Sequence, residues 1–353
     1  MKTVCAIPGE DAAPEAFHPT VALIESLGLD LRFCYPPVGQ AGLEGYGKAF
    51  PHQAREMIDA SDATFFGATN GQSAAALFYL RWGKATYANV RPTRYLTGYK
   101  SPLASPEGLD LVIVRENLED AYVCVEGDLE DGVVANLRSR TARKRLGELG
   151  KGRYAVKAIT DKGAEQVARH ACELARRRKS QGHPGKLTCG TKHNMLPHVD
   201  GLFRDVTARV AQDYPDVTFE SFIVDDLAHR LVAQPQSLDV VLLPNLYGDI
   251  LSDAAAGLAG GLGLAASGCY GNRYAYFESA HGSAPDIAGR GIINPTATIL
   301  SGAMMLEHLG FTDAAARLHA ALEATYAAGE ALTPDQGGNA STQQFCDKVS
   351  THL

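Results

Sequence analysis

Ser237–Ala255 reads SLDVVLLPNLYGDILSDAA. Ser237–Pro244 reads as a strand, and with only Ser237 and Asp239 polar it has the pattern of one buried on both faces rather than one with a wet side. Pro244 and Asn245 break the run, and a helix is expected from about Tyr247. A buried strand feeding a helix is one unit of a sheet covered on both faces, so this stretch sets the expectation of an α/β fold.

The same alternation recurs toward both ends. Thr3–Ile7 reads as a strand, Pro14–Leu27 as a helix, Leu31–Tyr35 as a strand, Gln53–Ala60 as a helix and Ala63–Gly67 as a strand. Such runs suggest a parallel sheet. The middle reads differently, with strands over Leu109–Val114, Ala121–Val125 and Tyr154–Ile159 before a strong helix over Ala164–Arg178. Leu187–Gly190 and Val217–Val224 are further strands, the second followed by a helix over Asp225–Val232. After the glycine-rich LAGGLGLAASG come a strand near Tyr274–Glu278 and helices near 293–309, 312–328 and 340–352. The C-terminal part looks fit to complete the sheet that the N-terminal part begins.

The chain's 353 residues suit two packed domains or one large α/β unit, and 45% hydrophobic content supplies a core. A formal charge of -7 gives no support to nucleic acid or an acidic membrane as the main partner. The basic run Arg138–Arg153 is interrupted by Leu and Glu and reads as a solvated loop or strand edge. Seven scattered cysteines without a CxxC pair read as reduced thiols of a cytosolic protein. Neither a signal peptide nor an apolar run of about 18 residues is visible.

Chemistry has several candidate carriers. Asp249 and Asp253 are spaced to share one helical face, which suits a hard cation such as Mg²⁺ or Mn²⁺, or merely complements the helix dipole. Asp225 and Asp226 close a strand and begin a helix, as an N-cap or a third metal carboxylate. Arg81, Arg91 and Arg115 are set to hold carboxylates in a cleft or to form surface salt bridges; Arg91 stands before a proline, at a strand end. Tyr122 and Lys192 are acid/base candidates whose pKa neighbouring cations would lower, or structural residues. HGSAPDIAG from His281 places an Asp in a loop after a strand, as a ribose-binding group or a plain turn. No GxGxxG follows the first strand, so an ordinary Rossmann fold is poorly supported.

Taken together, RENLEDAYVCVEG (115–127), TKHNMLP (191–197), NLYGDILSDAA (245–255), the segment 278–310 and TPDQGGNAST (333–342) resemble the signature segments of the β-decarboxylating dehydrogenases. That family includes isopropylmalate, isocitrate, homoisocitrate and tartrate dehydrogenases. The resemblance implies an isopropylmalate-dehydrogenase-like fold in two domains, residues 1–92 with 251–353 and residues 93–250. It implies a cytoplasmic homodimer with shared active sites, a divalent metal, and oxidation of a 2-hydroxy acid by NAD followed by loss of the β-carboxylate. By position, Arg81, Arg91 and Arg115 would hold substrate carboxylates. Asp249 and Asp253 would be metal ligands of one subunit and Asp225 that of the partner. Lys192, also from the partner, would deprotonate the hydroxyl, and Tyr122 would protonate the enol. Asn194 would approach the nicotinamide. Glu278, His281, Gly282, Asp286, Ile287 and Asn294 would form the cofactor's adenosine side, with Asp286-Ile287 resembling NAD-dependent members.

Two segments depart from the family pattern. GEDAAPE (9–15) stands where the family has GDGIGPE, so Asp11 and Ala13 replace loop glycines beside the nicotinamide. GQSAAALFYLR (71–81) has Ala75 and Leu77 at the isocitrate-type Ser and Asn places. Leu77 and Phe78 stand where isopropylmalate enzymes have leucines, but their Glu falls on Ala74; Gln72 and Ser73 are left for a polar substituent. The implied substrate is an isopropylmalate- or homoisocitrate-like malate, with tartrate, malate or isocitrate next. A catalytically silent regulatory subunit of an isocitrate dehydrogenase assembly is the rival, and none of the residues whose loss would signal it is missing.

Overall fold

The structure is a computed structural model that describes residues 1–353. Its strands are β1 (Lys2–Ile7), β2 (Leu31–Cys34), β3 (Ala63–Phe66), β4 (Ala88–Arg94), β5 (Asp110–Glu116), β6 (Glu126–Asp128), β7 (Arg153–Ala155), β8 (Lys186–Thr191), β9 (Thr218–Ile223), β10 (Val240–Leu243), β11 (Ala266–Tyr270) and β12 (Ala275–Ser279). Ten form one sheet in the order β2-β1-β3-β12-β11-β4-β5-β10-β8-β9. The chain's two ends meet in it, because β12 pairs with β3 and β11 with β4.

The flanks of the sheet are parallel, but the pairings β12–β11, β11–β4 and β4–β5 are antiparallel, so the sheet is mixed. The cause is local. β11 and β12 are joined by a tight turn in which the Gly271 N–H bonds the Tyr274 carbonyl, and no helix separates β4 from β5. Arg91 is not at a strand end, since β4 continues through Pro92 to Arg94. Pairing with β11 stops at Val90, so Pro92 lies where one side of β4 is already free.

Side-chain alternation builds two layers. Val112, Val114, Val240, Leu242, Leu187 and Cys189 face a helix over Asp161–Ser180, whose Ala164, Val167, Ala168, Ala171 and Ala175 allow close approach. Leu111, Ile113, Val241 and Leu243 point the other way, onto Leu251 and Ala255 of the helix Asn245–Ala259. Arg115 continues this second face, two residues beyond Ile113. The same period-2 rule therefore buries one side of β5 and aims its last cation at the Asn245–Ala259 helix.

The middle segment departs most from expectation. Ala121–Val123 is a 3-10 turn, not a strand. Asp120 and Cys124 both take positive φ, 70° and 53°, and the Asp120 carboxylate accepts the Ala121 N–H, so the backbone reverses there. Of the expected 154–159 strand, Ala158 forms an isolated bridge with Asp120, and Tyr154 and Ala155 pair with β6 in a separate two-stranded sheet. Around it Val125, Val133, Leu137, Leu149 and Val156 are exposed. The basic run is a solvated loop as expected. The seven cysteines are free thiols, and no helix is long and apolar enough to cross a membrane.

Candidate active site

The Asn245–Ala259 helix begins at the C-terminal end of β10, where open α/β sheets place their ligand sites. Asp249 and Asp253 project from it toward the sheet's arginines. Arg91 Nη1 lies 3.0 Å from Asp253 Oδ1, and its Nη2 lies 3.4 Å from Asp249 Oδ1. Arg115 Nη1 donates to the same Asp249 oxygen. Gly248 permits this approach, since a Cβ there would stand 2.7 Å from Arg115 Cβ. Burial pushes the Asp253 carboxyl up against the pull of Arg91.

Tyr122 closes the cluster. Its hydroxyl donates to Asp249 Oδ2 at 2.5 Å, and the guanidinium carbons of Arg81 and Arg115 lie 4.8 and 4.9 Å from its ring centre. Its pKa is raised, not lowered as the cations alone suggest, because burial and the bond to Asp249 outweigh the arginines. Arg81 reaches the group from a π-helical turn, Tyr79–Gly83, that prolongs the short helix Ala74–Phe78.

Three further residues organise these cations. Asn245 Oδ1 accepts from Arg81 Nη2 at 3.0 Å and from Arg115 Nε at 2.9 Å, fixing two guanidinium groups with one oxygen. Ser252 Oγ accepts from Arg91 at 2.7 Å, and the Asn117 carbonyl accepts from Arg81 Nε at 2.6 Å. Asn245 was legible only as a break after Pro244. Its signal is position, a polar residue closing a buried strand.

Lys192 and Asp225 form a separate pair, Nζ to Oδ1 2.6 Å, with no ion pair to Asp249 or Asp253 in the same chain. Asp225 is not the N-cap of its helix, which starts at Val224 with Ile223 in the capping position. Lys192 is well anchored: its backbone N–H bonds Asp200 Oδ2 at 2.6 Å. Asp200 is fully buried and ion-paired to Lys157 Nζ at 2.6 Å.

Within one chain no three metal-type side chains converge. Asp249 and Asp253 have the oxygen chemistry and i, i+4 placement for a hard divalent cation, and they fit part of its coordination shell. The Asp225 carboxylate, 69% exposed beside Lys192, is available at the surface.

The loop after β12 carries the remaining candidates. Glu278 sits on β12, where burial pushes its carboxyl up to about 7 despite the pull of Arg91, Arg81 and Arg115. His281 Nδ1 faces the Gly282 carbonyl at 2.8 Å, so Nδ1 carries the proton; Nε2 is buried without a partner. Gly282 and Asp286 are exposed, and Ile287 packs beside Ala12, Ala16 and Ile293. Asn294 is buried, and its side chain is already bonded to Asp335, Tyr326 and the Thr296 N–H. Asn194 is exposed near Lys192. In the segment before Arg81, Leu77 packs partly into the core while Phe78 is exposed, edge-on to Trp82 at 5.3 Å.

A cavity of about 490 Å³ opens on the opposite face of β4 and β5, beside Val90, Val112, His170 and Met304. None of Arg81, Arg91, Arg115, Asp249 or Asp253 lines it, so the convergence of charges, not volume, locates the site.

A family model described as isocitrate/isopropylmalate dehydrogenase matches residues 3–349. The 3-isopropylmalate/3-methylmalate dehydrogenase of Methanocaldococcus jannaschii is 39% identical, over 100% of this chain and 99% of its own. The isocitrate/homoisocitrate dehydrogenase of Thermus thermophilus is 40% identical, over 98% of this chain and 97% of its own. Among solved structures, isocitrate dehydrogenase from Methylococcus capsulatus superposes with a TM-score of 0.86 at 35% identity, covering 100% of this chain and 99% of that one. The chain belongs to the isocitrate/isopropylmalate dehydrogenase family and is a decarboxylating dehydrogenase acting on the CH–OH group of a small hydroxy acid.

Proposed function

We propose that the protein uses NAD and Mg²⁺ or Mn²⁺ to oxidise a 3-substituted malate and release its β-carboxylate as CO₂. The observation that carries this is the convergence of Arg81, Arg91 and Arg115 on Asp249, Asp253 and Tyr122. A bound divalent cation would polarise the substrate's hydroxyl and later stabilise the enolate. Asp249 and Asp253 would hold it, with Asp225 donated by a second subunit. The guanidinium groups, no longer the main partners of those carboxylates, then have free forks for the substrate's own carboxylates. The same clamp would hold C2 in one orientation for hydride transfer.

Lys192 from the second subunit would take the hydroxyl proton, and NAD, when bound, would supply the hydride acceptor for C2. The C–C bond to the β-carboxylate would then break, releasing CO₂ and leaving its electron pair in the enolate of the product. Tyr122, which holds its proton because of burial and Asp249, returns a proton to C3. The exposed Asp286 supports NAD over NADP, since a 2′-phosphate beside it would be repelled. His281 Nε2, buried and unpartnered, is an acceptor suited to an adenine amine.

The segment before Arg81 supports an apolar 3-substituent. Ser73 is buried and donates to Glu10, which leaves Gln72 as the exposed polar group there. Residues 1–92 with 251–353, and 93–250, are read as two domains with the site at their seam, in a homodimer. NADH formation with Mn²⁺ across isopropylmalate, homoisocitrate, isocitrate, tartrate and malate tests the reading. Turnover is expected first with isopropylmalate or homoisocitrate. Preference for NADP would remove the role of Asp286, and absence of turnover with every acid and either cofactor would defeat the proposal.

A further inference from the structure

The loop after β1 contains a glutamate-centred and an aspartate-centred hydrogen-bond network. Glu10 Oε2 accepts from Thr69 Oγ1 at 2.6 Å and from the Asn70 N–H at 3.0 Å, while Oε1 accepts from Ser73. Asp11 Oδ1 accepts from Asn70 Nδ2 at 3.1 Å, and Oδ2 accepts from Ser283 Oγ at 2.6 Å. The Ala12 N–H adds a bond to the Ser283 carbonyl at 3.0 Å. Segment 69–73 leads into the helix and π-turn that carry Leu77, Phe78 and Arg81; Ser283 lies between His281 and Asp286. No hydrogen bond runs directly between these two segments.

Asp11 has φ of 54°, a left-handed conformation that glycine adopts without a Cβ penalty. An aspartate accepted in such a position points to a use for its side chain, and it is the one side chain bonded to both segments.

We infer that Asp11 is a positioning residue that makes binding of cofactor and of substrate depend on each other. Ordering of the 281–287 loop by the adenosine end of NAD is passed through Ser283 and Asp11 to Asn70, and from there to the substrate-selecting segment. The reverse path is thermodynamically equivalent. This rests on the reading of 281–287 as the cofactor loop and 70–81 as the substrate segment.

The test uses NADH, which cannot accept a hydride from the hydroxy acid, so the binding of both can be measured at equilibrium. NADH dissociation constants are measured by fluorescence with Mg²⁺, in the presence and absence of the acid that the turnover panel selects. In the wild type the acid should tighten NADH binding by at least about fivefold. Asp11→Gly and Ser283→Ala should bring that factor close to one, while Asp11→Asn, whose amide oxygen can accept from Asn70 and whose NH₂ can donate to Ser283 Oγ, should retain most of it. A wild type without coupling overturns the inference. So does an Asp11→Gly enzyme that keeps the full factor while binding each ligand more weakly, because that is what a merely structural role produces. An enzyme that turns over no acid in the panel defeats the functional reading and this inference with it; turnover without the predicted loss of coupling defeats the inference alone.

Discussion

Tyr122 sits against two guanidinium groups yet holds its proton more tightly than a free phenol, because burial and Asp249 outweigh them. A proton donor is therefore ready at the site, and Tyr122→Phe should cut turnover by at least about a hundredfold while NADH affinity changes little. Equal losses in both would assign the ring to structure. Lys192→Ala should behave alike. Glu116 offers a test of burial at a single carboxyl near the site. It is 3% exposed, and burial pushes it up to about 7 against hydrogen bonds from the Leu118 and Glu119 N–H groups. The unfolded chain releases this proton near the ordinary glutamate value, whereas the native state keeps it until about 7. Native stability through this group is thus highest at low pH and falls as pH rises between those two values. Relative to Glu116→Gln, wild-type stability should fall with a slope of at most about 1.4 kcal/mol per pH unit over that window, then level off. Denaturant melts of both proteins at several pH values measure it, and a flat difference would show that burial does not hold the proton. Residue types were legible here, but the direction of the Tyr122 shift was not: sequence shows the flanking arginines and hides the burial.

At the scale of elements, the Ser237–Ala255 unit was read nearly as it stands, because an apolar run followed by helical spacing has one good packing solution. The three antiparallel pairings at the sheet's centre were not legible, since period-2 runs look alike in either direction. The same ambiguity placed a strand at Ala121–Val125, where two positive-φ residues instead turn the chain and bring Tyr122 to Asp249. Asp239, the single polar residue in the run Leu238–Leu243, explains itself only in three dimensions. It is fully buried, accepts from Arg178 Nε at 2.6 Å and from the Lys186 N–H at 2.9 Å, and so ties the Asp161–Ser180 helix to the sheet. Arg178 also bonds the Asp110 carbonyl and carboxylate. Arg178→Ala would strand a charge with little access to water, and should destabilise the fold by ~3–5 kcal/mol. Urea unfolding reads this directly, and a loss below about 1 kcal/mol would mean that water replaces the guanidinium. Because the pair lies behind the sheet from Asp249, surviving folded enzyme should keep near-normal turnover.

For the whole molecule, the decisive fact is that one chain gathers Asp249, Asp253, Tyr122 and three arginines while holding Lys192 and Asp225 apart. A site completed by a second copy reconciles this separation with a chemistry that needs a base and a third carboxylate. Symmetry then makes a quantitative demand. The Lys192→Ala and Tyr122→Phe chains should each form nearly inactive homodimers. When the two are co-expressed in equal amounts, random pairing makes half the dimers mixed. In a mixed dimer the intact Tyr122 of one chain meets the intact Lys192 of the other, giving one wild-type site and one doubly damaged site. Activity should therefore recover to about a quarter of the wild-type value. If Lys192 instead served the Tyr122 of its own chain, no pairing would create an intact site and the mixture would stay as inactive as its parents. The recovered activity should also scale with the mixed fraction when the expression ratio is changed, because only mixed dimers contain an intact site.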